Sequence, residues 1–109
     1  MPVHSLKTIE EFNLVVNKYQ FIMIDFCANW CGPCKQIAPF VEELSNNPTF
    51  SHIYFCKIDV DEVDEVANMF NIQSLPTFLI LKERNVINKL EGASKEKLVN
   101  LVSQLKNTF

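Results

Sequence analysis

Long apolar runs are missing from this 109-residue chain. The longest ones last only a few residues, far short of the ~20 that a membrane-crossing helix needs. The opening Met1-Pro2-Val3-His4-Ser5-Leu6-Lys7 lacks the apolar centre and cleavage site of a secretory signal. An excess of positive charge is also missing. The formal net charge of −3 gives neither nucleic acid nor an anionic membrane a reason to bind. Repeats, linkers and low-complexity tracts do not occur, so one domain covering residues 1–109 is expected, large enough for a core without covalent staples. With 48% hydrophobic and 21% charged residues the composition is that of an ordinary globular chain. These exclusions lead to a cytoplasmic expectation, in a compartment that keeps thiols reduced.

What is present matters more in that setting. The chain has four cysteines, Cys27, Cys31, Cys34 and Cys56. In a short secreted chain they would suggest a disulfide scaffold; in a cytosolic one a close pair points to catalysis or to metal binding.

Apolar spacing organises the rest. Residues 2–6 are predicted to form a first strand. Thr8 caps a helix, with Glu11 completing a capping box, and Ile9, Phe12, Val15, Val16 and Tyr19 mark its inner face to about Lys18. Phe21-Ile22-Met23-Ile24-Asp25-Phe26-Cys27 is apolar on both alternations, the pattern of a strand covered on both faces. A second helix starts near Cys31 with Ile37, Phe40, Val41 and Leu44 inward, Pro39 is expected to kink it, and Asn46-Asn47-Pro48 ends it. Residues 53–60 read as another buried strand, and Val63, Val66, Ala67 and Phe70 as a short third helix. Strands at 78–81 and 86–91 follow, joined by Glu83-Arg84-Asn85 with Asn85 suited to positive φ. Gly92 ends the last strand; Ser94 caps a final helix carrying Leu98, Leu101, Val102 and Leu105. The order is βαβαβ followed by ββα, an α/β fold with parallel crossovers first and an antiparallel pair at one edge.

The chemistry gathers where the second strand meets the second helix. Cys31 falls at the helix start, where free N–H groups and the helix dipole favour a thiolate, the attacking species in disulfide exchange. Cys34, one turn on, is placed to attack a mixed disulfide, and Pro33 suits an early helical position. Asp25 stands in a strand that excludes water, so its pKa is expected to rise and its carboxylate to serve as a proton acceptor for Cys34; a salt-bridged structural aspartate is the alternative. Lys57 is buried by pattern and reads either as a charge tuning Asp25 or as a snorkelling lysine. Trp30 is expected to be partly exposed beside Cys31.

Asp25-Phe26, Ala28 and Trp30-Cys31-Gly32-Pro33-Cys34-Lys35 together resemble the active-site signature of the thioredoxin family, and the similarity in element order extends from residue 3 to about 105. The resemblance implies the thioredoxin fold, a mixed five-stranded sheet flanked by four helices. It implies Cys31 as nucleophile, Cys34 as resolving cysteine in a redox disulfide with it, Asp25 as buried acid–base and Lys57 as its neighbour, with Trp30, Gly32 and Pro33 forming the active-site loop. Leu75-Pro76-Thr77 matches the family's cis-proline loop, with the Leu75 backbone and Pro76 binding extended substrate. Gly92-Ala93 matches the glycine that lets a partner approach. The implied activity is general protein-disulfide reduction in cell redox homeostasis, by a monomer with no bound cofactor or metal. It would be recycled by an NADPH-dependent flavoprotein thioredoxin reductase and serve clients such as peroxiredoxins, ribonucleotide reductase and methionine sulfoxide reductases. Gly-Pro between the cysteines favours a reducing member.

Cys27 and Cys56 depart from the signature and read as structural core thiols, with a redox-sensitive extra thiol as the alternative for Cys27. Asn85 stands where a hairpin glycine is common. Two other classes compete. One is a zinc module using Cys31, Cys34, His52 and Cys56; the other is a binding or chaperone module whose redox activity is incidental.

Overall fold

The computed structural model describes residues 3–107. Its strands are β1 (His4–Ser5), β2 (Phe21–Cys27), β3 (Tyr54–Asp59), β4 (Thr77–Lys82) and β5 (Asn85–Glu91). Its helices are α1 (Ile9–Lys18), α2 (Gly32–Asn46), α3 (Asp64–Met69) and α4 (Lys95–Val102), with a 3₁₀ turn at Pro48–Phe50. The sheet order is β1-β3-β2-β4-β5. β1 and β2 run parallel to β3; β4 is antiparallel to β2 and to β5. The expected mixed five-stranded α/β architecture is thus present.

β2 is the middle strand, and its alternation divides the interior in two. Phe21 and Met23 point to the side where Ile37, Val41 and Leu44 of α2 pack with Leu98, Leu101 and Val102 of α4. Ile22, Ile24 and Phe26 point to the other side, with Phe12 and Val15 of α1 and Val66 of α3. Side chains alternate along a strand, so Asp25 falls on the α2 side. The largest side chains in these layers, Phe26, Phe55 and Phe78, are fully buried, and truncating any one would cost about 3–5 kcal/mol.

Local chemistry sets the element ends. Thr8 Oγ1 accepts the Glu11 N–H at 3.1 Å, as expected, but the Glu11 carboxylate turns to the N–H of Lys7 at 2.7 Å instead of closing the box on Thr8. α2 runs through Pro39 to Asn46, and Asn47 then accepts from the Thr49 N–H at 2.9 Å. α3 ends with Asn71 at φ 53°. The N–H groups of Ile72 and Asn71 return to the carbonyls of Ala67 and Asn68, a paired closure that redirects the chain without glycine. Ser94 caps α4 through the Lys97 N–H at 3.2 Å. Leu105 is buried but lies beyond the end of α4.

Three expectations are corrected. β1 is shorter than residues 2–6, with Pro2 outside the described residues. The β4–β5 turn consists of Glu83 and Arg84, at φ 50° and 70°, while Asn85 pairs with Lys82 as the first residue of β5. Positive φ at both turn residues matches the twist of a two-residue hairpin. Tertiary bonds hold these unfavoured residues there: the Glu83 N–H reaches the Gln20 carbonyl at 2.8 Å, and Arg84 reaches Asn17 Oδ1 at 3.1 Å. Finally, Lys57 is exposed, not buried; a long apolar stem lets a strand lysine keep its ammonium in water.

Candidate active site

β2 delivers the chain to the start of α2 in a short turn closed by the Cys31 N–H on the Ala28 carbonyl at 3.1 Å. Cys31 is the N-cap of α2, in extended backbone, and its Sγ accepts the Cys34 N–H at 3.3 Å. A sulfur in that position receives the donor and dipole of a helix N-terminus, both of which favour its charged form. Pro33 sits in the first turn, where no donor is required of it. Cys31 and Cys34 form a disulfide with Cα atoms 5.3 Å apart, buried against Ala28. A Cβ on Gly32 would meet nothing within 4 Å, so no internal packing demands glycine there.

Cys34 heads the buried stripe Cys34, Ile37, Val41, Leu44 of α2. That stripe covers the side of β2 to which Asp25 belongs. Because α2 turns back over the strand, its start overlies the strand's end, which brings the buried carboxylate and the disulfide to one end of one layer. Asp25 is 5% exposed, and its Oδ1 is buried with no hydrogen-bond partner. Burial raises its pKa from 3.8 to about 7, against the opposing pull of the Lys57 ammonium. Asp25 and Lys57 are direct partners on adjoining parallel strands. No ion pair joins them; among the described residues the salt bridge found is Lys7–Glu62, at 3.4 Å. The salt-bridged structural alternative for Asp25 is thereby excluded, and Lys57 acts at a distance from a solvated position.

The disulfide opens on a groove of about 520 Å³ lined by Trp30, Cys31, Gly32 and Pro33 on one side and by Val60, Ile72, Gln73 and Leu75 on the other. Trp30 is 72% exposed and stands as a wall, tied by its Nε1–H to Asp61 Oδ2 at 2.9 Å. Sequence reasoning missed Asp61; the acidic connection after β3 was its only sign. The Leu75–Pro76 peptide bond is cis, and Pro76 is buried. Leu75 packs against the cysteine cluster. Its backbone makes none of the turn or cap hydrogen bonds found among the described residues. Gly92, at φ 112°, donates its N–H to the Pro76 carbonyl at 2.9 Å, and a Cβ there would enter open space. Only glycine adopts that φ readily. Ala93 beside it is exposed.

The other cysteines are held apart from this arrangement. Cys56 is fully buried and donates to the Met23 carbonyl at 3.6 Å, and burial pushes its thiol pKa up. Cys27 is half-buried and donates to the Ile58 carbonyl at 3.7 Å. Burial, then the Asp25 carboxylate, push it up to about 11. His52 bonds the Leu105 carbonyl. The four proposed zinc ligands are therefore not assembled, and no group of three or more metal-binding side chains occurs among the described residues. A second hollow, about 570 Å³ between α1 and Tyr54, contains no thiol, so concavity alone does not locate the chemistry.

A family model described as Thioredoxin matches residues 3–104. Thioredoxin-2 of Pyricularia oryzae is 40% identical over 103 residues, which is 94% of this chain and 59% of that protein; the chain thus spans less than two thirds of that relative's length. A solved thioredoxin of Plasmodium falciparum superposes with a TM-score of 0.90 at 40% identity, covering 94% of this chain and 99% of its own. A chain from a study of thiol resolution in a yeast mitochondrial 1-Cys peroxiredoxin via glutathione/thioredoxin systems superposes with a TM-score of 0.87 at 30% identity, covering 94% and 95%. With a Cys-Gly-Pro-Cys disulfide at a helix start, an orphaned buried carboxylate behind it and a cis-proline loop opposite, the chain belongs to the thioredoxin family of oxidoreductases that act on disulfides.

Proposed function

We propose that the chain is a general protein-disulfide reductase and dithiol electron carrier in which Cys31 attacks, Cys34 resolves and Asp25 moves the proton. The supporting observation is the unpartnered Asp25 carboxyl behind the disulfide, titrating near neutrality. In the reduced chain the Cys31 thiolate attacks one sulfur of a client disulfide. A mixed disulfide forms, and the other client sulfur leaves as a thiolate that takes a proton from water. Asp25 then accepts the Cys34 proton, and Cys34 attacks Cys31 Sγ, releasing the second client sulfur. Two electrons pass to the client, and the Cys31–Cys34 disulfide is the oxidised product. A group that titrates near the working pH can both take and return that proton. Lys57 is a positioning charge that limits the rise in the Asp25 pKa.

The groove accounts for binding. Trp30 and Leu75 offer apolar contact, the free Leu75 backbone can pair with an extended client segment, and Pro76, Gly92 and Ala93 leave room for it. Re-reduction draws on NADPH through a flavoprotein thioredoxin reductase. Peroxiredoxins are the first clients to test, given the subject of the yeast study; ribonucleotide reductase and methionine sulfoxide reductases follow from family resemblance. We place this activity in the cytoplasm, in a monomer whose residues 1–109 act as one domain.

An insulin-disulfide reduction assay tests the reading. Wild-type turnover that collapses in Cys31→Ser supports it, and activity retained in that variant would reject it. Trapping with Cys34→Ser should yield covalent mixed disulfides with clients. Partners that bind only noncovalently would instead favour the adaptor alternative.

A further inference from the structure

Asp61 adjoins the groove through Trp30 and Val60, which line it, and has no part in the exchange steps. It lies in the connection Asp59-Val60-Asp61-Glu62-Val63-Asp64-Glu65, which carries no basic residue. Val60 lines the groove, and Asp61 beside it is held at two points, once through its backbone and once through its carboxylate. The Asp61 N–H donates to Asp59 Oδ1 at 2.8 Å, and Asp61 Oδ2 accepts the Trp30 indole N–H at 2.9 Å. Asp61 Oδ1 has no intramolecular partner among the described residues. The neighbouring carboxylates are engaged otherwise: Asp59 holds the loop backbone, and Glu62 pairs with Lys7 at 3.4 Å. The facing wall, Ile72-Gln73-Ser74-Leu75-Pro76, is uncharged. On the far side the Glu91 carboxylate is held by the Ser74 hydroxyl at 3.1 Å, so the carboxylate with an oxygen free beside Trp30, at the edge of a groove with an uncharged lining, is that of Asp61.

We propose that Asp61 determines specificity by reading a lysine or arginine beside the client cysteine, so that disulfides in basic segments are reduced in preference to those in acidic ones. This rests on the disulfide-reductase reading of the same groove. The exchange is unaltered: two electrons pass from the Cys31/Cys34 dithiol to the client disulfide, which leaves as two thiols. Only the encounter changes, through attraction of a cation and repulsion of an anion at the rim. The site is solvated, so the effect is that of an exposed ion pair, roughly three- to fivefold in rate.

The test uses three synthetic peptides, each with one intramolecular disulfide, flanked by Lys, Gln or Glu. Pre-reduced protein is mixed with each, and single-turnover second-order rate constants are measured by quenching and quantifying peptide thiols. At low ionic strength the Lys peptide should react about three- to fivefold faster than the Glu peptide. The ratio should fall to parity in Asp61→Asn, whose amide oxygen still accepts from Trp30, and in wild type at about 0.5 M salt. A wild-type ratio of one, or an undiminished ratio in Asp61→Asn, would overturn the proposal. Failure of wild type to reduce even the Gln peptide would reject the reductase reading itself, and the specificity proposal with it.

Discussion

The first turn of α2 and the interior of the sheet hold the same side chain in opposite settings. At the turn, Cys31 accepts a backbone N–H and faces the positive end of a helix. In the sheet, Cys27 and Cys56 act as donors to the carbonyls of Ile58 and Met23, within reach of the Asp25 charge. Each environment selects a protonation state. A sulfur that accepts from N–H is stabilised as thiolate, and one that donates to C=O in a desolvated strand is stabilised as thiol. Reactivity here is a property of backbone direction, not of the residue type.

The largest expected break between the two regions is catalytic. Cys31→Ser should lower insulin reduction by at least about 10³-fold, whereas Cys27→Ser should leave it close to wild type. Comparable losses from both would erase the distinction. Alkylation of the reduced protein at pH 7 gives the next contrast. A thiol with a pKa of about 11 is only ~10⁻⁴ thiolate there, so Cys27 should label far more slowly than Cys31, and Cys56 only after unfolding. Mass mapping of early adducts would decide it.

Asp25 sharpens the comparison from the sheet side. Asp25→Asn should slow exchange on the order of 10²-fold at pH 7, yet it should stabilise the fold. The native carboxyl titrates near 7 instead of 3.8, so the native state holds an extra proton between those values. Wild-type stability should therefore be highest below pH ~4, fall as the pH rises toward ~7, and stay reduced above, by about 4 kcal/mol at most. Urea midpoints for wild type and Asp25→Asn should thus differ at pH 8 and converge near pH 4; a lower midpoint for the variant at pH 8 would contradict the burial argument. The smallest effect belongs to Cys56→Ala, which removes one buried sulfur and should cost about 1–2 kcal/mol without changing the exchange rate.

Much of this was legible in the residues. Asp25 stood out because a carboxylate in an unbroken apolar run is costly unless it is paired or functional, and Cys31 because Pro33 and the stripe at Ile37, Val41 and Leu44 mark a helix start just there. Other features were not. Lys57 shares the alternation of a buried strand, and nothing in that pattern shows that it is exposed. The turn at Glu83-Arg84 has no sequence signature because its positive φ values are supported by Gln20 and Asn17, more than sixty residues away. Asp61 carries no signal of its own in the sequence, because only the fold brings the Trp30 indole to its carboxylate.

By itself, then, the sequence determined the βαβαβ–ββα order, the two-sided burial of β2 and the thiol pair at a helix start. These follow from spacing and from groups close along the chain. Only the tertiary structure decided that Asp25 is left without a partner, that Lys57 faces water, and that Trp30, tied to Asp61, and Leu75 line one groove. Those outcomes depend on which strands become neighbours, and β2 meets β3 and β4 across separations that no local pattern encodes.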